Sequence, residues 1–144
     1  MSIASEFEIR EAVDVDDDVA VAALMVEYLT WAHLRLHDEY AIEEPPADVA
    51  LVRKKLGEYR RPRGLLLLAE CNGEPAGVGA LRWLAEGVAE VKRMYVPARW
   101  RGAHLGSALL DRLLDEVIER SSTIVLLDTV RFMSGRVIPT RPAH

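Results

Sequence analysis

Within residues 88 to 118 the apolar pattern changes from that of a strand to that of a helix across one glycine-bearing turn. This change limits the chain to folds that lay a helix on a sheet. Val88 to Val96 predicts a strand. After Arg101 and Gly102, Leu105, Leu109, Leu113 and Val117 form one helical row, and Leu110, Leu114 and Ile118 form its neighbour. A double row of this kind packs on a sheet. Thr123 to Leu127 then supplies a short apolar run of buried-strand type.

Upstream, Phe7, Ile9 and Ala12 or Val13 predict a first strand, ended by Asp14, Asp16, Asp17 and Asp18. Those carboxylates stand where a helix begins, because they stabilise its exposed amides and positive dipole end. From Val19 to about Tyr40, the spacing of Val21, Leu24, Tyr28 and Trp31 predicts one long or broken helix. Glu43, Glu44, Pro45 and Pro46 interrupt it, and Ala47 to Tyr59 restarts a helix with Val49, Val52 and Leu56 on one side. Lys54, Lys55, Arg60 and Arg61 crowd its C-terminal end, where the dipole favours cations. Leu65 to Ala69 reads as a buried strand, Asn72-Gly73 as a tight hairpin turn, and Val78 to Trp83 as the returning strand. The order is β, α, α, β, β, β, α, β, an α/β class in a single domain over residues 1–144.

Half of the 144 residues are apolar, enough for one ordinary core. The net charge of -5 gives no overall drive toward nucleic acid or an anionic membrane, so neither is expected as a partner. Met1 to Arg10 lacks the basic start and apolar run of a signal peptide, and no uninterrupted run reaches membrane-spanning length. A cytoplasmic location is the expectation, and the lone Cys71 suits it as a small buried hydrophobe. His33 and His37 stand one helical turn apart, which is also a zinc-ligand spacing. Leu34 follows His33 where a metalloprotease pattern has glutamate, and no third ligand is identifiable, so no metal is expected.

The segment that carries chemistry is Val91-Lys92-Arg93-Met94-Tyr95-Val96, then Pro97 to Trp100, then Arg101-Gly102-Ala103-His104-Leu105-Gly106-Ser107-Ala108-Leu109-Leu110. Small residues let backbone amides approach a ligand, and a helix N-terminus offers unpaired N–H groups and positive charge to a diphosphate. One Arg-Gly pair before an amphipathic helix is also common, so spacing alone leaves phosphate binding and a plain helix start both open.

The whole string resembles motif A of the GNAT superfamily of N-acetyltransferases, with Arg101, His104 and Gly106 at the three positions of its Arg/Gln-x-x-Gly-x-Gly/Ala turn. The resemblance runs from the first strand through Asp128-Thr129-Val130-Arg131-Phe132-Met133. It implies a three-layer sandwich, with a mostly antiparallel, splayed central sheet and helices on both faces. It further implies acetyl-CoA as cosubstrate, with Met94, Tyr95 and Val96 pairing their backbone with pantetheine. Arg101, Gly102, Ala103, His104, Leu105, Gly106 and Ser107 would surround the diphosphate. His104 departs from the usual glycine, and a right-handed helical conformation is expected there, keeping its N–H available. An exposed residue of the first turn is the alternative.

The activity implied is direct transfer of acetyl to a primary amine, on a small molecule or a peptide, in a ternary complex. A backbone N–H near Met94 or Tyr95 would polarise the thioester carbonyl. A neutral amine requires a base, and Glu90 is the candidate. On a two-residue period Glu90 shares a face with Lys92, Met94 and Val96. An exposed strand carboxylate, or a partner for Arg82, is the alternative for Glu90. Arg82 and Arg93 either order Glu90, bind substrate or make surface pairs. The helix carrying His33 and His37 is expected at the acceptor pocket, where Asp38 and Glu39 suit a cationic amine.

The resemblance ends after the fifth strand, where the family has a further helix and two strands. In Val130 to His144, Ser134-Gly135-Arg136 and Pro139 and Pro142 oppose a regular helix, so an atypical, shortened C-terminal part is expected. No tyrosine follows Tyr95, which leaves water or an unrelated residue as the general acid. Strand five would then be an edge that a homodimer or strand exchange covers. Beside the enzyme stand two further readings, a non-catalytic acyl-CoA-binding or regulatory domain and an interaction module without ligand.

Overall fold

The structure, a computed structural model, describes residues 7–41, 48–120 and 124–127. The helix-breaking stretch Glu43 to Pro46, the Asp128 to Met133 segment and the tail from Val130 to His144 lie outside the described residues. The elements are β1 (Phe7–Glu11), α1 (Val15–Tyr40), α2 (Val49–Lys55), β2 (Gly64–Cys71), β3 (Glu74–Ala85), β4 (Val88–Tyr95), α3 (Leu105–Glu119) and β5 (Ile124–Leu127). Short 3-10 turns follow α2 at Leu56–Tyr59 and β4 at Ala98–Trp100.

The sheet runs in chain order from β1 to β5, antiparallel through β4 and parallel between β4 and β5. The second strand of that order, β2, reads as a continuous apolar run because it is covered on both faces. Leu66 and Leu68 enter the core beneath α1, while Leu65, Leu67, Ala69 and Cys71 enter the core beneath α3. A strand covered on both faces has no polar side to present. The helices thus lie on opposite faces of one sheet, in the three layers that the family resemblance implies.

Asp14 begins α1 by accepting the Asp17 N–H at 2.8 Å, with Asp16, Asp17 and Asp18 in the first turn. The helix is unbroken to Tyr40 and buries Val21, Leu24, Met25, Tyr28 and Ala32. In length and composition α1 matches a membrane-crossing helix, with a mean hydropathy of 1.3 over its most apolar 18 residues. That qualifies the sequence expectation of no membrane-length segment, although here the apolar stripe is buried against the sheet.

In α3, Leu105, Leu109, Leu113 and Val117 are all buried, as their spacing predicts. The neighbouring row fades outward: Leu110 and Leu114 are half-buried, and Ile118 is 72% exposed, which corrects its placement on the sheet. The sheet covers one limited arc of the helix, and at the last turn that arc has moved to Glu116, which is buried.

The buried Glu116 carboxylate receives Arg61 at 2.8 and 2.9 Å and has Arg120 at 3.6 Å, which ties α3 to the segment before β2. The hydrogen bond from Arg61, the largest cause, holds the Glu116 carboxyl below its ordinary value of 4.5. A depressed folded value means stability that is fully present above that ordinary value and is lost as pH falls through the folded one. Denaturation below neutrality should therefore show an acid-side loss in the native protein. In Glu116→Gln that component should be missing, and melting temperature against pH from 6 down to 3 measures the difference.

At the other end of the sheet, Ile124 and Leu126 of β5 are 39% and 38% exposed. The expectation of an uncovered outer edge rests on the tail and so lies outside the described residues.

Candidate functional site

Strand β4 does not keep a two-residue period. Opposite β3, Tyr95 pairs with Val78 and Lys92 with Ala80, so β4 spends one extra residue in that interval. Arg93 takes up the excess in a left-handed conformation, φ 56°. A bulge of this kind shifts every later side chain to the other face. Ala89 and Val91 face α3 before the bulge, and Met94 and Val96 pack on the same α3 core after it, while Tyr95 joins the core beneath α1. Glu90 therefore does not share a face with Met94 and Val96, which corrects the reading from strict alternation. No glycine marks position 93, so nothing in the sequence signals the bulge. For a non-glycine residue the conformation costs about 1–2 kcal/mol.

The bulge stands beside the end of β5 pairing. The described β5 residues pair only with Val88 to Val91, so Met94 and Tyr95 extend past them. A turn then leads from Val96 to α3. Gly102 has φ 90° and His104 φ 61°. Both are left-handed, and the right-handed conformation expected for His104 is thereby overturned. That is the physical reason a glycine would be favoured there: the histidine Cβ meets the following carbonyl. His104 is exposed and precedes α3 without a side-chain cap.

The first helical amide to find an acceptor in the turn is Ala108, bonded to the His104 carbonyl at 3.1 Å. Leu105, Gly106 and Ser107 consequently present their N–H groups at the helix entrance with the dipole's positive end. A Cβ at Gly102 would meet nothing within 4 Å, and one at Gly106 would meet only Val96 Cγ2 at 3.9 Å, so the turn leaves open space over these amides. Arg101 is exposed and donates from Nε to the Val96 carbonyl at 2.9 Å. The bond folds the guanidinium over the turn. The residues present fit a diphosphate, with Arg101 and the Leu105, Gly106 and Ser107 amides at one turn.

On the other face, Glu90 accepts Arg82 Nε at 2.7 Å on Oε1, and Arg82 also reaches Glu58 at 2.9 Å. The partnership weighed for Arg82 and Glu90 is thus present, and it raises the Arg82 pKa, with the Glu90 hydrogen bond as the largest cause. Among the described residues Glu90 Oε2 has no such bond. A cavity of about 470 Å³ opens beside this pair, between α1, α2 and β4. Met25, Leu29, Leu51, Val52 and Leu56 form its apolar wall, and His33 borders it. Asp38 and Glu39 are not in the lining; Glu39 is bound to Arg35, and Asp38 lies 3.3 Å from His37 Nδ1. The expected acidic lining is corrected accordingly: the helix contributes His33 one turn earlier, because its last turn runs past the cavity. Among the described residues, no group of three His, Cys, Asp or Glu side chains could hold a metal ion.

Sequence reasoning gave Tyr95 only a backbone role. Its hydroxyl donates to Glu27 Oε2 at 2.6 Å, its ring lies 5.6 Å from that of Tyr28, and Glu27 is 3.8 Å from Arg99. Burial first, then the bond to Glu27, pushes the phenol up to about 12, so it keeps its proton at neutral pH. The contact pins the end of β4 to α1. Glu27 lies 68 positions away in the sequence, and no local pattern could pair them.

An amide-lined helix entrance and a bulged strand beside it, with a cavity on the opposite face, form the candidate site. The acetyltransferase (GNAT) family pattern matches residues 21–132, and the chain belongs to that family. The chain is 35% identical over 78 residues to an IAA acetyltransferase of Azospirillum brasilense, a match covering 54% of this chain and 51% of that protein. The chain therefore spans about half the length of that relative. A predicted acetyltransferase from Clostridium acetobutylicum, solved with acetyl-CoA, shares the fold at TM-score 0.67 and 19% identity, over 88% of this chain and 82% of that one. A glucosamine-6-phosphate N-acetyltransferase from Arabidopsis thaliana superposes at TM-score 0.62 and 16% identity, over 93% and 95% of the two chains. A ribosomal-protein-alanine N-acetyltransferase from Brucella melitensis biovar Abortus does so at 0.66 and 22%, over 88% and 82%.

Proposed function

We propose that this chain transfers acetyl from acetyl-CoA to a primary amine by direct attack in a ternary complex. The observation that carries the reading is the row of free amides at Leu105, Gly106 and Ser107, beside the bulged end of β4. The names of the Arabidopsis and Brucella neighbours, both N-acetyltransferases, support an amine as acceptor.

Acetyl-CoA, when bound, supplies the activated acyl carbon. The amides from Leu105 to Ser107 and the Arg101 guanidinium hold the diphosphate by charge-assisted hydrogen bonds. The backbone of Met94 to Val96 takes the pantetheine as an added strand, beyond the β5 residues that pair with Val88 to Val91. An acceptor amine enters from the cavity between α1 and α2. Its nitrogen forms the new C–N bond as the C–S bond breaks, its proton passes to Glu90 Oε2 directly or through water, and the thiolate takes a proton from water. Arg82, bound to Oε1, fixes the direction of the Glu90 carboxylate.

Release of CoA thiol from acetyl-CoA, measured across a panel of amines, tests the reading. Release above the amine-free rate is expected for at least one class. Tight acetyl-CoA binding without release across the panel would favour the non-catalytic acyl-CoA-binding domain. In calorimetric titrations, Arg101→Ala should weaken acetyl-CoA by about 1.5–3 kcal/mol, the value of a hydrogen bond to a charged group. Unchanged affinity would remove Arg101 from the diphosphate site.

A further inference from the structure

The same bulge that turns Met94 toward α3 leaves Lys92 and Arg93 together on the wall of the acceptor cavity. In a regular strand Arg93 would face the α3 core, so a left-handed residue is what delivers this cation to the cavity. Among the described residues that line the cavity, the cations outnumber the acids. Among the described residues the two acids that line it are committed: Glu58 to Arg82, and Asp48 to the Ala50 and Leu51 amides that it caps at the start of α2. Arg82 is committed in turn to Glu58 and Glu90. Arg93 and Lys55 also line the cavity, and among the described residues neither side chain makes a hydrogen bond or an ion pair. Arg93 is half-buried and Lys55, in the last turn of α2, is exposed.

We infer that Arg93 and Lys55 bind an anionic group on the acceptor, so that the substrate is an amine that also carries a carboxylate or a phosphate monoester. The inference rests on the proposed acetyl transfer to an amine for the word substrate, and on the cavity alone for the anion. An arginine fork matches either oxyanion in two parallel hydrogen bonds, and a lysine adds a point charge from the cavity rim. The apolar wall from Met25 to Leu56 takes the body of the molecule. A volume of about 470 Å³ admits a small molecule.

Product-like pairs separate charge from shape and need no turnover. With CoA saturating the full chain, calorimetry compares N-acetyl-L-leucine with N-acetyl-L-leucinamide, and N-acetylglucosamine 6-phosphate with N-acetylglucosamine. The charged member of at least one pair should bind tenfold or more tightly, and the pair that shows it identifies carboxylate or phosphate. In the double variant Arg93→Asn with Lys55→Gln, the preference should fall below twofold, with CoA affinity unchanged. Asparagine tolerates the left-handed conformation, and position 55 is exposed, so both changes spare the backbone. Should the double variant fail to fold, Lys55→Gln alone should reduce the preference at least threefold. Equal binding within both pairs, binding of none of the four, or a preference that survives the substitutions overturns the inference. CoA release with leucine and with glucosamine 6-phosphate is scored separately. An anion preference without release at any amine removes the transfer reading and leaves the cavity assignment standing, whereas release without preference does the reverse.

Discussion

Gly64→Ala should destabilise the fold by about 3 kcal/mol or more, the upper range for overpacking a rigid site. Gly64 opens β2 opposite Arg82 of β3. A Cβ there would fall inside van der Waals contact of the Leu81 carbonyl oxygen and lie 3.1 Å from the Arg82 Cα. Both obstacles are backbone, so no rotamer change relieves the clash and the strands must separate. The strands have little freedom to do so, since β3 holds β2 from Gly64 to Cys71, and the Gly64 and Trp83 amides bond the Arg60 and Arg63 carbonyls beside the clash. For a chain of this size the loss corresponds to roughly 6–12 °C in melting temperature. Calorimetric melting of the two proteins side by side measures it. The same displacement reaches the site, because Arg82 is the residue that orients Glu90. A melting temperature within 1 °C of the parent, as an order-of-magnitude bound on a neutral change, would show that the strands accommodate the methyl group.

Glu90→Gln should lower turnover at neutral pH by about 10²- to 10⁴-fold, the usual contribution of a general base. Acetyl-CoA affinity should not change, because the proposed diphosphate site at Arg101 to Ser107 lies on another element and Met94 to Val96 would bind through their backbone. Glutamine keeps the shape, and its carbonyl can still accept Arg82 Nε, which retains Glu58 as its second partner. Loss of the base alone therefore has a signature that a distorted site lacks. As pH rises toward the amine's own pKa, near 10 for an unperturbed alkylamine, the free base accumulates without help and the gap between the two proteins should close. A pH profile of CoA release from 6.5 to 10 distinguishes the outcomes. Equal turnover across the range would leave Glu90 as the structural partner of Arg82.

The elements were legible in the sequence where one local property dominates. The Asp14 cap, the Asn72-Gly73 turn and the Leu105–Leu109–Leu113–Val117 row each depend on residues within a few positions, so pattern and structure agree. The helix entrance proposed as the diphosphate site was legible for the same reason: a strand, a turn and a helix N-terminus adjoin in sequence, and proximity along the chain is proximity in space.

Faces and pairings were decided elsewhere. Whether β4 runs straight or bulges depends on how β3 and the two flanking cores share its side chains, and an arginine at position 93 gives no local sign of it. One extra residue there separates Glu90 from Met94 and delivers Arg93 to the cavity between α1 and α2. His104 likewise adopts the left-handed conformation because the turn into α3 requires it, against its own preference. Contacts across long separations, Arg61 with Glu116 and Glu27 with Tyr95, form only when the sheet brings distant segments together. Sequence alone determined the element types and the helix entrance, since short-range sterics and hydrogen bonding set them. Tertiary structure decided which face each β4 side chain meets, because strand register is a cooperative property of neighbours that the strand does not itself encode.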